Sequence, residues 1–261
     1  MNRAHQEYPM IETLRNQLGS IRKVYLKGNT IQKHNDFAEF PETVLLLHGF
    51  FQTRNIWEIM ENRLRRDNYG VLSLDLGGLF WRFNTRSINK QGKFLAEKMD
   101  RIAARYDLQN FHIIGHSMGG LVARHYIQYH GGDRRVKSLI TLGTPHLGTP
   151  TALIGFALMW GGMLSNSPSQ MLPNSSLLRQ LRADGFPPHI PLTSIFSRHD
   201  FISPWWGSVL YPSQGETNIN NIQIPHLGHS ELTYSNKVYK HVKEQLIRSS
   251  ELFQVRHGKN L

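Results

Sequence analysis

Cysteine is absent from all 261 residues. That excludes disulfides, thiolate nucleophiles and every Cys-ligated metal or iron–sulfur centre. Carboxylates are scarce, with 19 Asp+Glu against 30 Lys+Arg and a formal net charge of +11. No apolar run approaches the roughly 20 residues needed to cross a bilayer; the most apolar stretch, from Ala152 to Leu164, stops well short. The opening residues Met1 to Pro9 lack the apolar core of a secretory signal, so a cytoplasmic or peripheral membrane location is expected. Charge itself is missing from one long stretch. Between Ser138 and Leu178 there is no Asp, Glu, Lys or Arg, a sharp break in so basic a chain.

The positive balance raises two partners, nucleic acid and anionic membrane. Nucleic-acid modules concentrate basic residues with interleaved aromatics on one element. Here Arg63-Leu64-Arg65-Arg66 and Arg134-Arg135 are short clusters in ordinary helix or turn contexts, and the remaining excess is scattered. Nucleic acid is therefore not expected as a partner. A basic surface that assists peripheral contact with an anionic membrane stays compatible with the scatter.

What is present alternates. Val44 to Leu47, Val71 to Leu74, Phe111 to Ile114, Val136 to Leu142, Leu192 to Phe196 and Ile219 to Ile224 read as strands. Between them run helical patterns: Ile56, Met60, Leu64; Leu95, Met99, Ile102, Tyr106; Leu121 to Tyr129; and a terminal face of Tyr234, Val238, Val242, Leu246. Near-continuous apolar strands alternating with helices imply a parallel sheet covered on both faces. The stretch from Thr149 to Pro191 breaks this rhythm and reads as an insertion over the sheet. Residues 1–40 read as an N-terminal extension without an assignable role, and 41–261 as the domain proper.

Chemistry concentrates after the third strand, where Gly115-His116-Ser117-Met118-Gly119 matches the nucleophile-elbow pattern G-x-S-x-G. A sharp strand-to-helix turn pushes one Ser above the sheet edge, and only glycine tolerates the close backbone on either side. A Ser hydroxyl at neutral pH needs a base and a group to orient that base. Asp200 directly follows the fifth strand, in the loop position that suits an orienting carboxylate. His229, in Pro225-His226-Leu227-Gly228-His229-Ser230, is the expected base, with His226 structural and His199 a decoy beside Asp200. Charge on a substrate carbonyl requires preset N–H donors. Met118, opening its helix, supplies one, and the loop His48-Gly49-Phe50-Phe51 supplies the other through Phe50.

These residues together resemble the α/β-hydrolase fold, and within it bacterial lipases and esterases with an HG oxyanion loop and a G-H-S-M-G-G elbow. From Leu192 to Val238 the chain is similar to the minimal Bacillus-type lipases, sharing Thr193-Ser194-Ile195, Asp200, Gly228-His229 and Leu232-Thr233-Tyr234-Ser235. The resemblance implies a mostly parallel twisted sheet with helices on both faces and an inserted cap or lid. It implies Ser117 as nucleophile, Asp200 as acid, His229 as base, and Phe50 and Met118 as the oxyanion hole. His146, in Gly143-Thr144-Pro145-His146-Leu147-Gly148, is similar to a lipase element near the site. His48, Phe51, His146, Phe156, Met159 and Trp160 are thus the expected substrate-binding residues. The uncharged cap suits an acyl chain, whether as a mobile lid or as fixed core. The expected activity is hydrolysis of lipid or acyl esters with no metal and no cofactor; a thioesterase or transacylase would use the same triad.

Overall fold

The computed structural model describes residues 34–76, 86–158, 166–212 and 217–258. Among them one sheet carries six parallel strands: β1 (Glu42–Leu47), β2 (Tyr69–Leu74), β3 (Phe111–His116), β4 (Val136–Leu142), β5 (Leu192–Phe196) and β6 (Ile219–Gln223). All six match the strands expected from apolar runs. Their spatial order is β2-β1-β3-β4-β5-β6. The chain thus moves outward from β1 to β2, crosses back over β1 and then runs the other way. The direction reverses between β1 and β3, and the crevice beyond their C-terminal ends is where such sheets bind ligands.

Strand side chains alternate between two cores. Leu45 and Leu47 of β1 join Ile113 and Leu139 against α2 (Ile88–Tyr106) and α3 (Met118–Tyr129), through Leu95, Met99, Leu121 and Val122. Val44 and Leu46 face the opposite side with Ile114 and Ile140. There they meet Met60 and Leu64 of α1 (Glu58–Arg66) and Val238, Val242 and Leu246 of α8 (Asn236–Arg256). Burial on both faces explains the near-continuous apolar runs of β1 to β5, whereas the edge strand β6 stays partly in water.

Tyr234 departs from its expected place on the terminal helix. It ends a short 3-10 turn, Ser230–Thr233, and α8 begins only after Ser235, whose side chain accepts the N–H of Lys237 as an N-cap. The stretch from 149 to 191 forms α4 (Ala152–Leu158), α5 (Ser167–Gln170) and α6 (Ser176–Ala183), with no strand among its described residues. α6 turns Leu177, Leu178 and Leu181 into the first core, so this part of the stretch packs down. α4 instead buries Ala152 and leaves Leu153 and Ile154 in solvent. A further short helix, α7 (Trp205–Ser208), follows β5.

Candidate active site

β3 ends at His116, and the chain turns at Ser117 directly into α3. Ser117 has φ 54° and ψ −127°, a conformation costly for a residue with a Cβ. The turn is tight enough that a Cβ on Gly115 would lie 2.6 Å from Gly120 Cα, and one on Gly119 would lie 2.2 Å from the Leu47 carbonyl oxygen. Both obstacles are backbone and cannot step aside. The two glycines of the G-x-S-x-G pattern are therefore demanded by close approach.

Asp200 and His229 reach the same edge from β5 and from the turn after β6. Asp200 Oδ2 lies 2.7 Å from His229 Nδ1, and both side chains are buried. Asp200 Oδ1 accepts the backbone N–H groups of Ile202 and Ser203 at 2.9 and 2.8 Å. A carboxylate so held presents only an acceptor to Nδ1, which sets the imidazole proton there and leaves Nε2 with a lone pair. A Cβ on Gly143, at φ +55° after β4, would stand 2.9 Å from Asp200 Oδ2 and 3.2 Å from His229 Nδ1. Glycine is required here for both space and conformation.

The loop after β1 closes from the other side. Gly49 approaches Ser117 so nearly that a Cβ there would lie 2.7 Å from Ser117 Cβ. Gln52 folds back to accept the Gly49 N–H on Oε1 at 2.7 Å, and its own N–H reaches the Gly49 carbonyl at 3.4 Å. Phe50, Phe51 and Gln52 then wall a cavity of about 630 Å³. Ser117 and His229 lie on its wall together with Pro145, Thr149, Thr151, Ala152, Ile154, Pro168, Met171, Phe201, Ile202 and Ser203. A hydroxyl and an oriented imidazole on one largely apolar cavity make up the equipment of covalent nucleophilic catalysis.

Of the expected substrate contacts, Phe51 lines this cavity, and so does the expected oxyanion donor Phe50. Met118 opens α3 and is fully buried beside Ser117. His48 and His146 are not brought to the cavity wall. His48 is buried under the loop with Nδ1 3.2 Å from the Gly49 carbonyl oxygen, and burial pushes its pKa down to about 4. His146 lies 2.9 Å from Thr141 Oγ1 and 3.4 Å from Arg124, bordering a separate cavity of about 120 Å³. Burial, then the neighbouring Arg124, hold its ring well below the ordinary histidine range. The Phe156 side chain, Met159 and Trp160 lie outside the described residues.

His226 and His199 pair with each other at the surface. The His226 N–H donates to His199 Nδ1 at 3.2 Å, and their rings stand 4.7 Å apart. Three residues at the site had not been singled out from sequence: Gln52, Gly143 and His116. Gly143 left a trace as a glycine directly after a strand. Gln52 and His116 left none beyond their places beside Gly49 and Ser117.

The α/β-hydrolase fold family model matches residues 42–189, and the chain belongs to that family. Among curated proteins, it is 27% identical over 146 residues to probable lysophospholipase BODYGUARD 4 of Arabidopsis thaliana. That match spans 55% of this chain but only 34% of the relative. Among solved structures, the Bacillus licheniformis lipase BlEst2 in its mature form superposes with a TM-score of 0.63 at 16% identity, covering 84% of this chain and 96% of the lipase. The Paleococcus ferrophilus monoacylglycerol lipase gives 0.57 at 12% identity, over 79% and 94%. Among the described residues no helix is long and apolar enough to cross a membrane.

Proposed function

We propose that this chain hydrolyses carboxylic esters of lipid or acyl type through Ser117, His229 and Asp200. The carrying observation is the 2.7 Å contact of Asp200 with His229, at an apolar cavity that Ser117 also lines. His229 Nε2 takes the Ser117 proton as Oγ attacks the ester carbonyl carbon. The N–H groups of Phe50 and Met118 receive the negative charge that develops on the carbonyl oxygen. Collapse of this intermediate expels the alcohol, protonated by His229, and leaves an acyl group on Ser117. A water that loses its proton to His229 then releases the acid and restores the hydroxyl. The acyl chain lies among Phe50, Phe51, Ala152, Ile154, Met171, Phe201 and Ile202.

The surroundings of the mouth support a lipid source. Leu153, Ile154, Phe201, Ile202, Trp205 and Trp206 are all exposed. Hydrogen bonds stitch their segments together: Thr149 Oγ1 and Thr151 Oγ1 donate to the Ile202 carbonyl at 2.8 and 2.5 Å, and the Leu147 N–H donates to that of Gly207 at 2.8 Å. Arg198 sits over the Trp205 ring at 5.1 Å, and the one carboxylate within residues 197–212, Asp200, is buried. An aromatic, cation-edged rim without exposed carboxylates suits contact with an anionic lipid surface. The names of the similar proteins, three lipid or glyceride hydrolases, agree with this reading.

The test compares purified wild type and Ser117→Ala on p-nitrophenyl esters of increasing acyl length. Hydrolysis by wild type, lost in Ser117→Ala, is expected. Folded wild type that cleaves no ester would overturn the proposal. A rate that peaks at the shortest chains would overturn its lipid half.

A further inference from the structure

The proposed chemistry makes no use of His116, a buried polar side chain next to the nucleophile. His116 is wholly buried at the end of β3, immediately before Ser117. Its Nδ1 lies 3.0 Å from Gln52 Oε1, and its Nε2 lies 3.0 Å from the backbone carbonyl oxygen of His229. Its ring stands 4.5 Å from the His229 ring and meets the Trp57 ring edge-on at 6.3 Å. The same Gln52 oxygen accepts the Gly49 N–H. One imidazole therefore bridges the loop that carries Phe50 and the backbone that carries the base.

The orientation of Gln52 is not free to change. Turning its amide over would set an NH2 group against the Gly49 N–H, donor against donor, in a buried place. With Oε1 so fixed, both His116 nitrogens face acceptors. A space-filling residue would need neither nitrogen, and an apolar ring would pack against Trp57 equally well. Two acceptors converging on one ring, from the loop after β1 and the turn after β6, are the mark of a tie between those segments. Burial, reinforced by the neighbouring His229, favours the neutral ring. A neutral ring has a single N–H, so it hydrogen-bonds one of the two acceptors and meets the other by packing alone; the brace is that one hydrogen bond together with the ring's burial between the two segments, and no proton is delivered to substrate.

We infer that His116 is a positioning residue which, with Gln52, locks the oxyanion loop and the His229 backbone into one relative placement. This rests on the proposed roles of Ser117, His229 and the oxyanion loop. Its effect belongs in the chemical step: the oxyanion donors and the base must act on one intermediate, and small displacements between them are costly.

The test uses His116→Phe, Gln52→Leu and the double variant, with a short soluble ester. Rates are normalised to the sites that a fluorophosphonate titrates, so unfolded protein does not count. His116→Phe is expected to lower kcat by about 10²-fold, with KM unchanged, as for an interaction needed mainly in the transition state. The double variant is expected to lose much less than the product of the single losses. His116→Gln, which returns an N–H donor, should recover part of the loss. A kcat for His116→Phe within twofold of wild type would overturn the inference, as would losses in kcat that simply multiply. Should His116→Phe not fold, Gln52→Leu and His116→Gln carry the test, and wild-type kcat in both would overturn it equally. Failure of the proposed function reads differently, as ester hydrolysis surviving in Ser117→Ala.

Discussion

Asp200 Oδ2 stands 2.7 Å from His229 Nδ1, while the second oxygen of the same carboxylate is held by the backbone amides of Ile202 and Ser203. The carboxylate is thus fixed before it fixes the imidazole. Asp200→Asn should preserve the loop, because the amide oxygen can still accept the two backbone donors, but it presents an NH2 to Nδ1 and reverses the tautomer. The expected loss in kcat is about 10⁴-fold, with Tm little changed. Stopped assays and thermal melts on the same preparation check it.

Gly143 supports that pair from below. An added Cβ would press on Asp200 Oδ2 at 2.9 Å and would sit at φ +55°. Gly143→Ala should cost about 1–3 kcal/mol of stability from backbone strain alone, and should lower kcat by displacing the carboxylate. Urea unfolding and ester turnover measure the two effects separately.

Acid should weaken the fold in two stages. Burial lowers His48 and His125 from 6.5 to about 4 in the native state. The unfolded chain therefore binds protons that these native rings refuse. Their contribution is complete above pH 6.5 and is lost as pH falls towards 4. Glu42 then follows: burial alone would raise its pKa, but hydrogen bonds from His112 and Lys137 outweigh it and bring it from 4.5 down to about 2. Its contribution is present above pH 4.5 and is lost as pH falls towards 2. Urea unfolding at a series of pH values should show stability dropping below 6.5. His125→Leu should flatten that slope between pH 6.5 and 4.

The exposed rim should matter for aggregated substrate alone. Replacing Leu153, Trp205 and Trp206 together by Ser touches no residue lining the cavity. Hydrolysis of a soluble short ester should stay at the wild-type rate, while hydrolysis of an emulsified long-chain ester and binding to anionic vesicles should fall. Unchanged vesicle binding would remove the rim from the account.

The sheet was legible because every strand from β1 to β5 is buried on both faces or nearly so, and burial writes itself into runs such as Val44 to Leu47. The candidate site was legible where chemistry depends on local backbone: Gly115 and Gly119 record a turn that admits no Cβ. It was not legible where a role depends on which segments meet. His116 and Gln52 are distant in sequence and become partners only because β1 and β3 are neighbours in the sheet. His146 looked close to the site in sequence terms, but the turn through Gly143, at φ +55°, leads to a placement where its ring meets Thr141 and Arg124.

Every other proposed role depends on Ser117 being the nucleophile. The most direct measurement is active-site titration with a fluorophosphonate, followed by peptide mass mapping. One equivalent of phosphonyl group on Ser117, with ester hydrolysis lost in proportion and no labelling of Ser117→Ala, is the predicted result. Loss of activity with the label on another residue, or full activity with Ser117 fully labelled, would overturn the assignment of Ser117.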